Sequence, residues 1–563
     1  MPSPISAPLV LSLLSLLPPP SSAPVPAALP AAEPAHTAAA PAGPAAIHPH
    51  LLRRLAERGG TVKAWVHLKD KGGSEAERAA ALASTWPERS LERRRRLRAS
   101  PGLVDARDLP LCDAYLAAIE AAGAAPVHQS RWANAVSVVV DEPALRRLAA
   151  LPFVLRLTPV READRARDAW IDVDEGEVAP MESLAGDTAG YGLSWDQLQM
   201  INVPAVHELG ARGAGVVVGI LDTGFVTTHQ AFNQPGHQLQ VVAAWDFVNN
   251  DPVVGVEAGD PETQHVHGTL ILGTLASWLQ GTLIGAAPEA AYVLCKTERV
   301  DQEVPAEEDA YAAALEFCEL HGADMTTSSL LYFDWYEQSD LDGQTAVCTV
   351  AVNAAIDNGL VCVTAAGNEG HDADPATSHT GAPADAFLVI TCGAVEINGL
   401  VTGFSSDGPT ADGRVKPEVL ARGRQVATVS PWDDVSTTTA SGTSLSTPLV
   451  EGAVACILGA QPEMGVQVLR RRLTATAAYQ GLPAPDPLFV YGWGVIDALA
   501  ALQDSCAGQA DVNGDGAVDG FDLGAVLGNW GAAAPANPAD INHDGVVDGM
   551  DLGLIIGSWG DCP

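Results

Sequence analysis

Short apolar runs alternate with longer amphipathic stretches over much of the chain. Between residues 195 and 503, apolar segments such as VVVGIL and LVCVTA are separated by stretches with helical periodicity. Apolar runs without alternation are typical of strands that are buried on both faces of a parallel sheet. We therefore expect an α/β domain in which a parallel sheet is sandwiched by helices.

A smaller α/β domain is predicted at residues 48–165. Its pattern predicts strands at 61–70, 134–142 and 153–160, and helices at 114–123 and 143–151. A connector containing proline, glycine and acidic residues follows at 166–194. The larger domain then occupies 195–503, and a short segment, 504–563, completes the chain.

The beginning of the chain has the pattern of an export signal. The apolar run from Ala7 to Leu17 is too short to span a bilayer but has the length of a signal-peptide core. We predict a signal peptide at 1–23 and a Pro/Ala-rich linker at 24–47. No later run reaches membrane-spanning length, so we expect no transmembrane segment in the mature chain and a secreted or cell-surface-associated protein.

Charge is unevenly distributed between the domains. Residues 48–168 carry 21 basic and 15 acidic side chains, a net charge of +6, whereas residues 169–563 carry 10 basic and 53 acidic side chains, a net charge of −43. Phosphate groups would be repelled by the acidic part, so nucleic acid is not an expected partner. The pattern instead favours docking of the basic segment on its own acidic neighbour.

Several polar residues stand where strands end or helices begin, which is where active sites form in parallel sheets. Asp222 ends an apolar strand, Asn368 follows another, and His267 opens an apolar helix. Ser444 precedes the apolar stretch 445–460, which reads as a helix with Pro448 in its first turn. A serine nucleophile needs a histidine base, a carboxylate that orients the base, and donors for the oxyanion. Taken singly, each residue could equally belong to a turn, a loop or the surface.

Each of these four polar residues lies in a distinctive sequence block. GILDTGF, HGTLILG, AAGNEG and GTSLSTPLVEG resemble the motif blocks of the subtilisin-like serine peptidases, and the resemblance covers residues 195–503. It implies a subtilisin-like fold, with Asp222, His267 and Ser444 as the catalytic triad and Asn368 as the oxyanion-hole carboxamide. It also selects His267 over His265, because Gly-Thr follows His267. The chemistry implied needs no cofactor.

The substrate groove is implied by the same resemblance. The segment ADMTTSSLL, residues 323–331, resembles the block that pairs with the substrate backbone and lines the primary pocket. Leu331 stands where the family usually has glycine, which leaves the substrate preference open. The implied substrate-binding residues are Ser329, Leu330, Leu331, Ala366 and Gly367.

The domain at 48–165 resembles the inhibitory propeptide that precedes such peptidase domains. This implies a self-inhibited zymogen that is activated by a cut in the connector 166–194. The predicted function is a secreted serine endopeptidase that cleaves proteins or peptides through an acyl-enzyme. The alternative is a catalytically inactive binding or adhesion protein built on the same scaffold.

Residues 511–531 and 540–560 form an internal repeat. In each copy oxygen ligands recur at positions 1, 3, 5, 7, 9 and 12 of a twelve-residue loop with glycine at position 6, a pattern suited to Ca²⁺. Position 12 is aspartate rather than glutamate, one methylene shorter. The two predicted sites comprise Asp511, Asn513, Asp515, Ala517 (carbonyl), Asp519 and Asp522, and Asp540, Asn542, Asp544, Val546 (carbonyl), Asp548 and Asp551.

A calcium loop with one following helix, present twice, resembles the dockerin modules of secreted bacterial enzymes. The resemblance implies a small helical module with two Ca²⁺ ions and a cohesin-like or cell-surface partner. The positions that dockerins use for recognition are usually hydroxylated, but here they are Gly520-Phe521 and Gly549-Met550. A Cys506–Cys562 disulfide that ties the module's ends together is a further hypothesis.

Overall fold

The computed structural model describes most of the chain from residue 45 onward. It describes 45–504 except 101, 161–171, 175–189, 302–305, 334–335 and 373, and beyond these it describes 510, 512, 517–532, 537–541, 546–557 and 559–561. The predicted signal peptide, most of the linker and most of the connector lie outside these residues. Among the described residues, three large hydrophobic cores lie within 51–157, 191–502 and 510–555, and a small fourth cluster comprises Trp65, Ala135 and Val160. We call the three large regions the N-terminal domain, the central domain and the C-terminal module.

The N-terminal domain contains a five-stranded sheet in the order β1-β5-β2-β4-β3. Alternating apolar side chains of β2 and β4 pack with the helices in its core. The predicted strands and helices of this region all form, within a few residues of the expected bounds. Its elements are β1 (Ala46–Ile47), α1 (Pro49–Arg58), β2 (Val62–Leu68), α2 (Glu75–Ala83), α3 (Glu88–Leu97), α4 (Asp113–Ala121), β3 (Ala125–Ser130), β4 (Ala135–Val140), α5 (Glu142–Ala149) and β5 (Val154–Pro159), with a 3₁₀ helix at Ala106–Asp108.

The connector contributes one described strand, β6 (Asp172–Asp174). It pairs antiparallel with a strand of the central domain, with Asp172 opposite Ser441. Because the two strands run in opposite directions, Asp172, the first residue of β6, lies at the end of the pair from which β19 leads to Ser444.

A seven-stranded sheet in the order β10-β13-β7-β14-β15-β16-β17 forms the centre of the central domain. All neighbouring strands in it are parallel, which confirms the predicted α/β class. The strands of this domain are β7 (Val217–Asp222), β8 (Asn233–Gln234), β9 (His237–Gln238), β10 (Gln240–Asp246), β11 (Trp278–Leu279), β12 (Leu283–Ile284), β13 (Ala291–Lys296), β14 (Met325–Ser328), β15 (Val361–Ala365), β16 (Ile390–Val395), β17 (Val419–Arg422), β18 (Val426–Val429) and β19 (Thr437–Ser441).

Helices cover this sheet and join its strands. They are α6 (Trp195–Met200), α7 (Val203–Glu208), α8 (Val266–Ala276), α9 (Ala306–Leu320), α10 (Val347–Asp357), α11 (Thr443–Ala460), α12 (Val466–Thr476) and α13 (Ala498–Gln503), with 3₁₀ helices at Gln230–Phe232 and Gln338–Asp340. Among the described residues, α11 alone is long and apolar enough to cross a membrane, but 89% of that stretch is buried in the protein. Its apolar composition therefore serves the core.

The expected start of helix α11 was wrong. The helix begins at Thr443 rather than after Ser444, so Ser444 is its second residue and Pro448 lies in its second turn. Proline has no N–H to donate to the carbonyl four residues earlier. That carbonyl belongs to Ser444, and the Ser329 hydroxyl donates to it instead at 3.1 Å. The lost helical hydrogen bond is thereby replaced from a neighbouring strand end.

The N-terminal domain docks on helix α9 through three buried carboxylates. Asp309 accepts from the Lys63 ammonium at 2.9 Å, and Glu316 accepts from the Ser130 hydroxyl at 2.7 Å. Glu319, 1% exposed, pairs with two guanidinium groups of α3, those of Arg93 and Arg94. Basic side chains of the N-terminal domain thus form specific buried ion pairs with acidic side chains of the central domain.

The C-terminal module consists of two helices with short strand pairs. Its elements are β20 (Ala517–Val518), α14 (Gly520–Gly528), β21 (Gly531–Ala532), β22 (Val546–Val547), α15 (Gly549–Gly557) and β23 (Gly560–Asp561). An aspartate, Asp519 or Asp548, directly precedes each helix. In the first, Asp519 caps α14 by accepting the Phe521 N–H.

Candidate active site

Asp222 and His267 meet at the carboxyl edge of the central sheet. Asp222 is the last residue of β7 and is fully buried, and His267 is the second residue of α8. The His267 Nδ1–H donates to Asp222 Oδ1 at 2.7 Å. The Thr223 N–H donates to the same oxygen at 2.7 Å. These bonds fix the ring so that Nε2 is the nitrogen left to act on another group.

The residues after His267 explain why this histidine can approach the aspartate. A β-carbon on Gly268 would collide with Gly224 O and lie 3.0 Å from Asp222 Oδ1, so only glycine allows this approach. Thr269 links helix α8 to the loop after β7, because its hydroxyl accepts the Val226 N–H at 2.9 Å.

His265 has a different environment from His267. Its Nε2 is 2.9 Å from Pro431 O, and its ring stands edge-on to Trp432. Its contacts are with the loop after β18, whereas His267 is the histidine bonded to Asp222.

Ser444 is delivered by a sharp turn between β19 and α11. The turn residue Gly442 has φ +155°, a conformation that L side chains rarely adopt. The Ser444 hydroxyl points to Ser329 O at 3.5 Å, and no hydrogen bond joins it to His267 within the described part of the chain. Such bonds are often long in ligand-free sites and shorten when substrate binds. Its place at a helix start also puts it where negative charge is favoured.

Asn368 lies beside the same turn with a defined amide orientation. Its Oδ1 accepts the Thr443 N–H at 2.9 Å and the Thr443 hydroxyl at 3.0 Å. A backbone N–H can only donate, so the atom facing it must be the amide oxygen. The NH₂ group is therefore turned away from Thr443 and is available as a donor. Thr443 was not singled out from the sequence, although it is the residue that orients this carboxamide.

The five predicted groove residues lie on two segments that flank Ser444. Ser329, Leu330 and Leu331 follow strand β14, and Ala366 and Gly367 follow the neighbouring strand β15. Ser329 contacts the Ser444 backbone, whereas Leu330 is buried. The structure thus brings the two segments together beside Ser444.

Two side chains behind this groove gave no signal in the sequence. Ser406 Oγ accepts the Glu369 N–H at 3.0 Å, and Thr380 Oγ1 donates to Ala366 O at 2.8 Å. Both hold the segment that carries Asn368. They lie 37 and 14 residues from the groups they bind, and these contacts depend on how the loops fold together.

One group of carboxylates in the described residues, Asp246, Asp251 and Glu257, has donor atoms close enough together to hold a cation. The Lys296 ammonium already lies 2.7 Å from Asp246 Oδ2 and 2.6 Å from Asp260 Oδ2. Burial alone would lower the pKa of Lys296, but hydrogen bonds and charge from these two aspartates raise it overall. A permanent ammonium therefore offsets part of the negative charge here, at Asp246 and Asp260.

The predicted calcium ligands are only partly within the described residues. Asp511, Asn513, Asp515, Asn542 and Asp544 lie outside them, as does the side chain of Ala517. In each copy the aspartate at position 12 is fully buried, and both of its oxygens accept loop N–H groups: for Asp522 those of Val512 and Asp519, at 2.6 and 2.8 Å. Asp551 accepts from Ile541 and Asp548 at 2.7 and 2.8 Å. An all-oxygen donor set around buried carboxylates fits a hard divalent cation.

Comparison with known proteins identifies two regions of the chain. Residues 213–494 match the model of the subtilase family of S8 peptidases, and residues 63–169 match the S8 propeptide domain of Bacteroidota. The first match covers the sheet, Asp222, His267, Asn368 and Ser444. The second covers most of the N-terminal domain.

Individual relatives agree with these matches. Subtilisin DY of Bacillus licheniformis is 31% identical over 56% of this chain and 99% of its own length. Subtilisin E of Bacillus subtilis (strain 168) is 28% identical over 67% of this chain and 82% of its own length.

Among solved structures, fervidolysin from Fervidobacterium pennivorans, described as a keratinolytic enzyme related to subtilisin, superposes with a TM-score of 0.54 at 22% identity. The match covers 79% of this chain and 61% of that one, and it supports the fold alone. The expected subtilisin-like fold with a preceding propeptide domain is confirmed. This chain belongs to the subtilase family of serine peptidases.

Proposed function

We propose that this serine peptidase uses Ser444 as nucleophile, His267 as general base and Asp222 as the residue that orients the base. The observation that carries the proposal is the 2.7 Å hydrogen bond between His267 Nδ1 and Asp222 Oδ1. With Nδ1 donating, Nε2 accepts the Ser444 proton as Oγ attacks the substrate carbonyl carbon. The same nitrogen later returns that proton to the leaving amine, and water then hydrolyses the acyl-enzyme.

The oxyanion formed in this attack is stabilised by two donors. One is the Asn368 NH₂ group, whose orientation is fixed by Thr443, and the other is the Ser444 backbone N–H, which has no helical acceptor at the start of α11. Donors held in place before the reaction need no reorganisation when the charge develops. Ser329, Leu330, Leu331, Ala366 and Gly367 line the groove for the substrate.

Hydrolysis of a protein substrate by the processed enzyme tests this assignment. The Ser444→Ala variant should lose the activity, whereas Ser436→Ala, a change in the loop before β19, should retain it. Equal activity of Ser444→Ala and the wild type would refute the assignment. If the intact sequence has no activity, the alternative of an inactive binding protein on this scaffold gains support.

We infer that the chain is made as a zymogen whose N-terminal domain is removed by a cut in the connector 166–194. The buried pairs on helix α9 support tight docking of this domain. The propeptide match ends at residue 169, and strand β6, which begins at Asp172, pairs beside the strand that leads to Ser444. We therefore expect the first cut between residues 166 and 172. Mass spectrometry of the processed enzyme would show it, and a mature N-terminus before residue 100 would contradict it.

We further propose export of the protein and a Ca²⁺-dependent C-terminal module that docks it to a cohesin-like or cell-surface partner. The twelve ligands named above would hold two ions, and Ca²⁺ would supply positive charge that offsets the carboxylates of each repeat. Exposed apolar residues support a binding role for this module: Phe521 is 73% and Met550 66% exposed. Pull-down of cell-surface extracts with and without calcium, using the full chain, tests the docking.

A further inference from the structure

The slot between the two groove segments contains a side chain of the protein itself. A β-carbon placed on Gly367 would lie 3.2 Å from Leu331 Cδ1. The Leu331 side chain therefore reaches from the segment after β14 to the segment after β15. It is partly exposed, so it lines the groove rather than the core.

The position of this slot relative to Ser444 determines what would enter it. Ser329, on one side, donates to Ser444 O, and Asn368, on the other, accepts from Thr443. In a peptide attacked by Ser444 Oγ, the carbonyl oxygen lies toward the Asn368 NH₂ group. The side chain of the residue that contributes this carbonyl, the P1 residue, starts only two bonds from the reacting carbon. With Asn368 on one side and Ser329 on the other, we place this side chain between the two segments.

The far end of the slot is closed by backbone contacts. Tyr332 and Ala382 exchange both N–H···O hydrogen bonds, at 2.8 and 2.9 Å, which fastens the segment after Leu331 to the loop at 380–382. Thr380 donates to Ala366 O at 2.8 Å and fastens the opposite wall to the same loop. A long side chain would have to displace Leu331, since the backbone behind it is fixed on both sides.

We propose that Leu331 fills the primary specificity pocket and restricts this enzyme to substrates with a small P1 residue such as alanine or glycine. This inference rests on the proposed function, because it takes Ser444 as the attacking group. Leu331 determines specificity without taking part in the chemistry. Its removal should therefore change the choice of substrate more than the rate on the preferred substrate.

Kinetics on matched peptide anilides that differ only in P1, alanine or phenylalanine, test the proposal. The processed wild type should have the higher kcat/KM on the alanine peptide. Leu331→Gly should raise the ratio of kcat/KM for phenylalanine to that for alanine by roughly 10- to 200-fold, the range for one aliphatic group in an apolar pocket. Leu331→Ala, a smaller truncation that keeps the backbone preference, should shift the ratio in the same direction. Leu482→Gly, at a leucine 53% exposed on the surface, is the matched control and should leave the ratio unchanged.

The outcomes separate the two proposals. A wild type that prefers phenylalanine, or Leu331 variants with an unchanged ratio, would overturn the role of Leu331 while the peptidase assignment stands. Loss of all hydrolysis in Ser444→Ala, together with activity in the wild type, verifies the assignment independently. If the processed wild type cleaves neither peptide nor protein, the proposed function fails, and this inference fails with it.

Discussion

The carboxylate of Asp222 and the imidazole of His267 are 45 residues apart in the chain, yet they share a 2.7 Å hydrogen bond. The bond depends on two local features, a strand that ends at Asp222 and a glycine after His267 that lets the helix approach. Asp222 is fully buried, while the His267 side chain is 14% exposed toward the groove. Asp222 therefore lies in the core, and His267 lies at the surface of the groove.

Replacing Asp222 with asparagine should leave the fold intact and abolish most of the activity. Asparagine can donate to Nδ1 and so stabilise the wrong tautomer, which leaves Nε2 unable to accept the serine proton. We expect kcat to fall by roughly 10³- to 10⁴-fold with little change in KM. Asp342→Asn, in a turn before α10 where the side-chain oxygen accepts N–H groups of residues 344 and 345, is the control. Equal losses in both variants would show that the effect is not specific to the pair.

Glu451 is a buried carboxylic acid two turns after Ser444 on helix α11. It is 0% exposed, and neither of its oxygens has a hydrogen-bond partner among the residues that the structure describes. Burial raises its pKa well above the ordinary value, and its ionisable neighbours Tyr292, Cys362 and Cys392 are themselves buried with raised pKa values. Burial is the cause of this rise, so the fold favours the neutral form of the Glu451 carboxyl.

The raised pKa of Glu451 makes the stability of the central domain depend on pH. Below the unfolded-state pKa, near 4.5, both states are protonated and the stability is fully present. As pH rises from there toward the folded-state pKa, only the unfolded state ionises, which costs about 1.4 kcal/mol per pH unit.

Glu451→Met should therefore gain stability over the parent as the pH rises from 4 to 8. Denaturant unfolding in the Ser444→Ala background measures this without autolysis. Glu208→Met, at an exposed glutamate, should show no such trend. A stability difference for Glu451→Met that stays constant between pH 4 and 8 would contradict the buried neutral acid.

The buried pairs of Glu319 should anchor the N-terminal domain. Glu319→Ala leaves the guanidinium group of Arg93 buried without its paired carboxylate, while Arg94 keeps its ion pair with Asp108. The loss should lower the free energy of unfolding of the Ser444→Ala full chain by about 3–5 kcal/mol. Glu463 also binds an arginine of α3, Arg96 at 3.2 Å, but its side chain is 74% exposed. Glu463→Ala should therefore cost at most about 1 kcal/mol. Similar unfolding midpoints for the two variants would show that docking does not depend on the buried pairs.

Calcium should stabilise the C-terminal module selectively. At a free Ca²⁺ concentration 100 times the dissociation constant, binding contributes about 2.7 kcal/mol per site. Trp530 and Trp559, each 52% exposed, report on this module by fluorescence. Adding EDTA to the full chain should lower the temperature of the module's transition and leave that of the central domain in place. Asp551→Asn should weaken the response by removing one site, and a transition insensitive to both changes would exclude the calcium proposal.

Sequence pattern predicted the parts of this protein that depend on local periodicity. The apolar strands ending at Asp222 and before Asn368 form as expected. A strand that is buried on both faces has an uninterrupted run of apolar residues, which is visible in the sequence. The start of helix α11 was misplaced because Pro448 suggested a helix N-terminus. In the structure Pro448 lies in the second turn of α11, and the Ser329 hydroxyl donates to the Ser444 carbonyl that Pro448 cannot reach with an N–H.

Features that depend on contacts between distant segments were not predictable in this way. Arg93 and Arg94 of α3 are buried because carboxylates from other segments lie opposite them, Glu319 for both and Asp108 for Arg94. The orientation of Asn368 depends on Thr443, 75 residues away. Leu331 appeared only as a departure from a family pattern, and its contact with position 367 required coordinates.

Labelling with a serine-directed fluorophosphonate, followed by peptide mapping, measures the reactivity of the proposed nucleophile directly. The processed wild type should acquire one phosphonyl group on the tryptic or chymotryptic peptide that contains Ser444. Ser444→Ala should acquire none, although the hydroxyls of Thr443, Ser446 and Thr447 remain beside it. Labelling that persists in Ser444→Ala, or an unlabelled wild type, would contradict the assignment of Ser444 as the hydroxyl activated by His267 and Asp222.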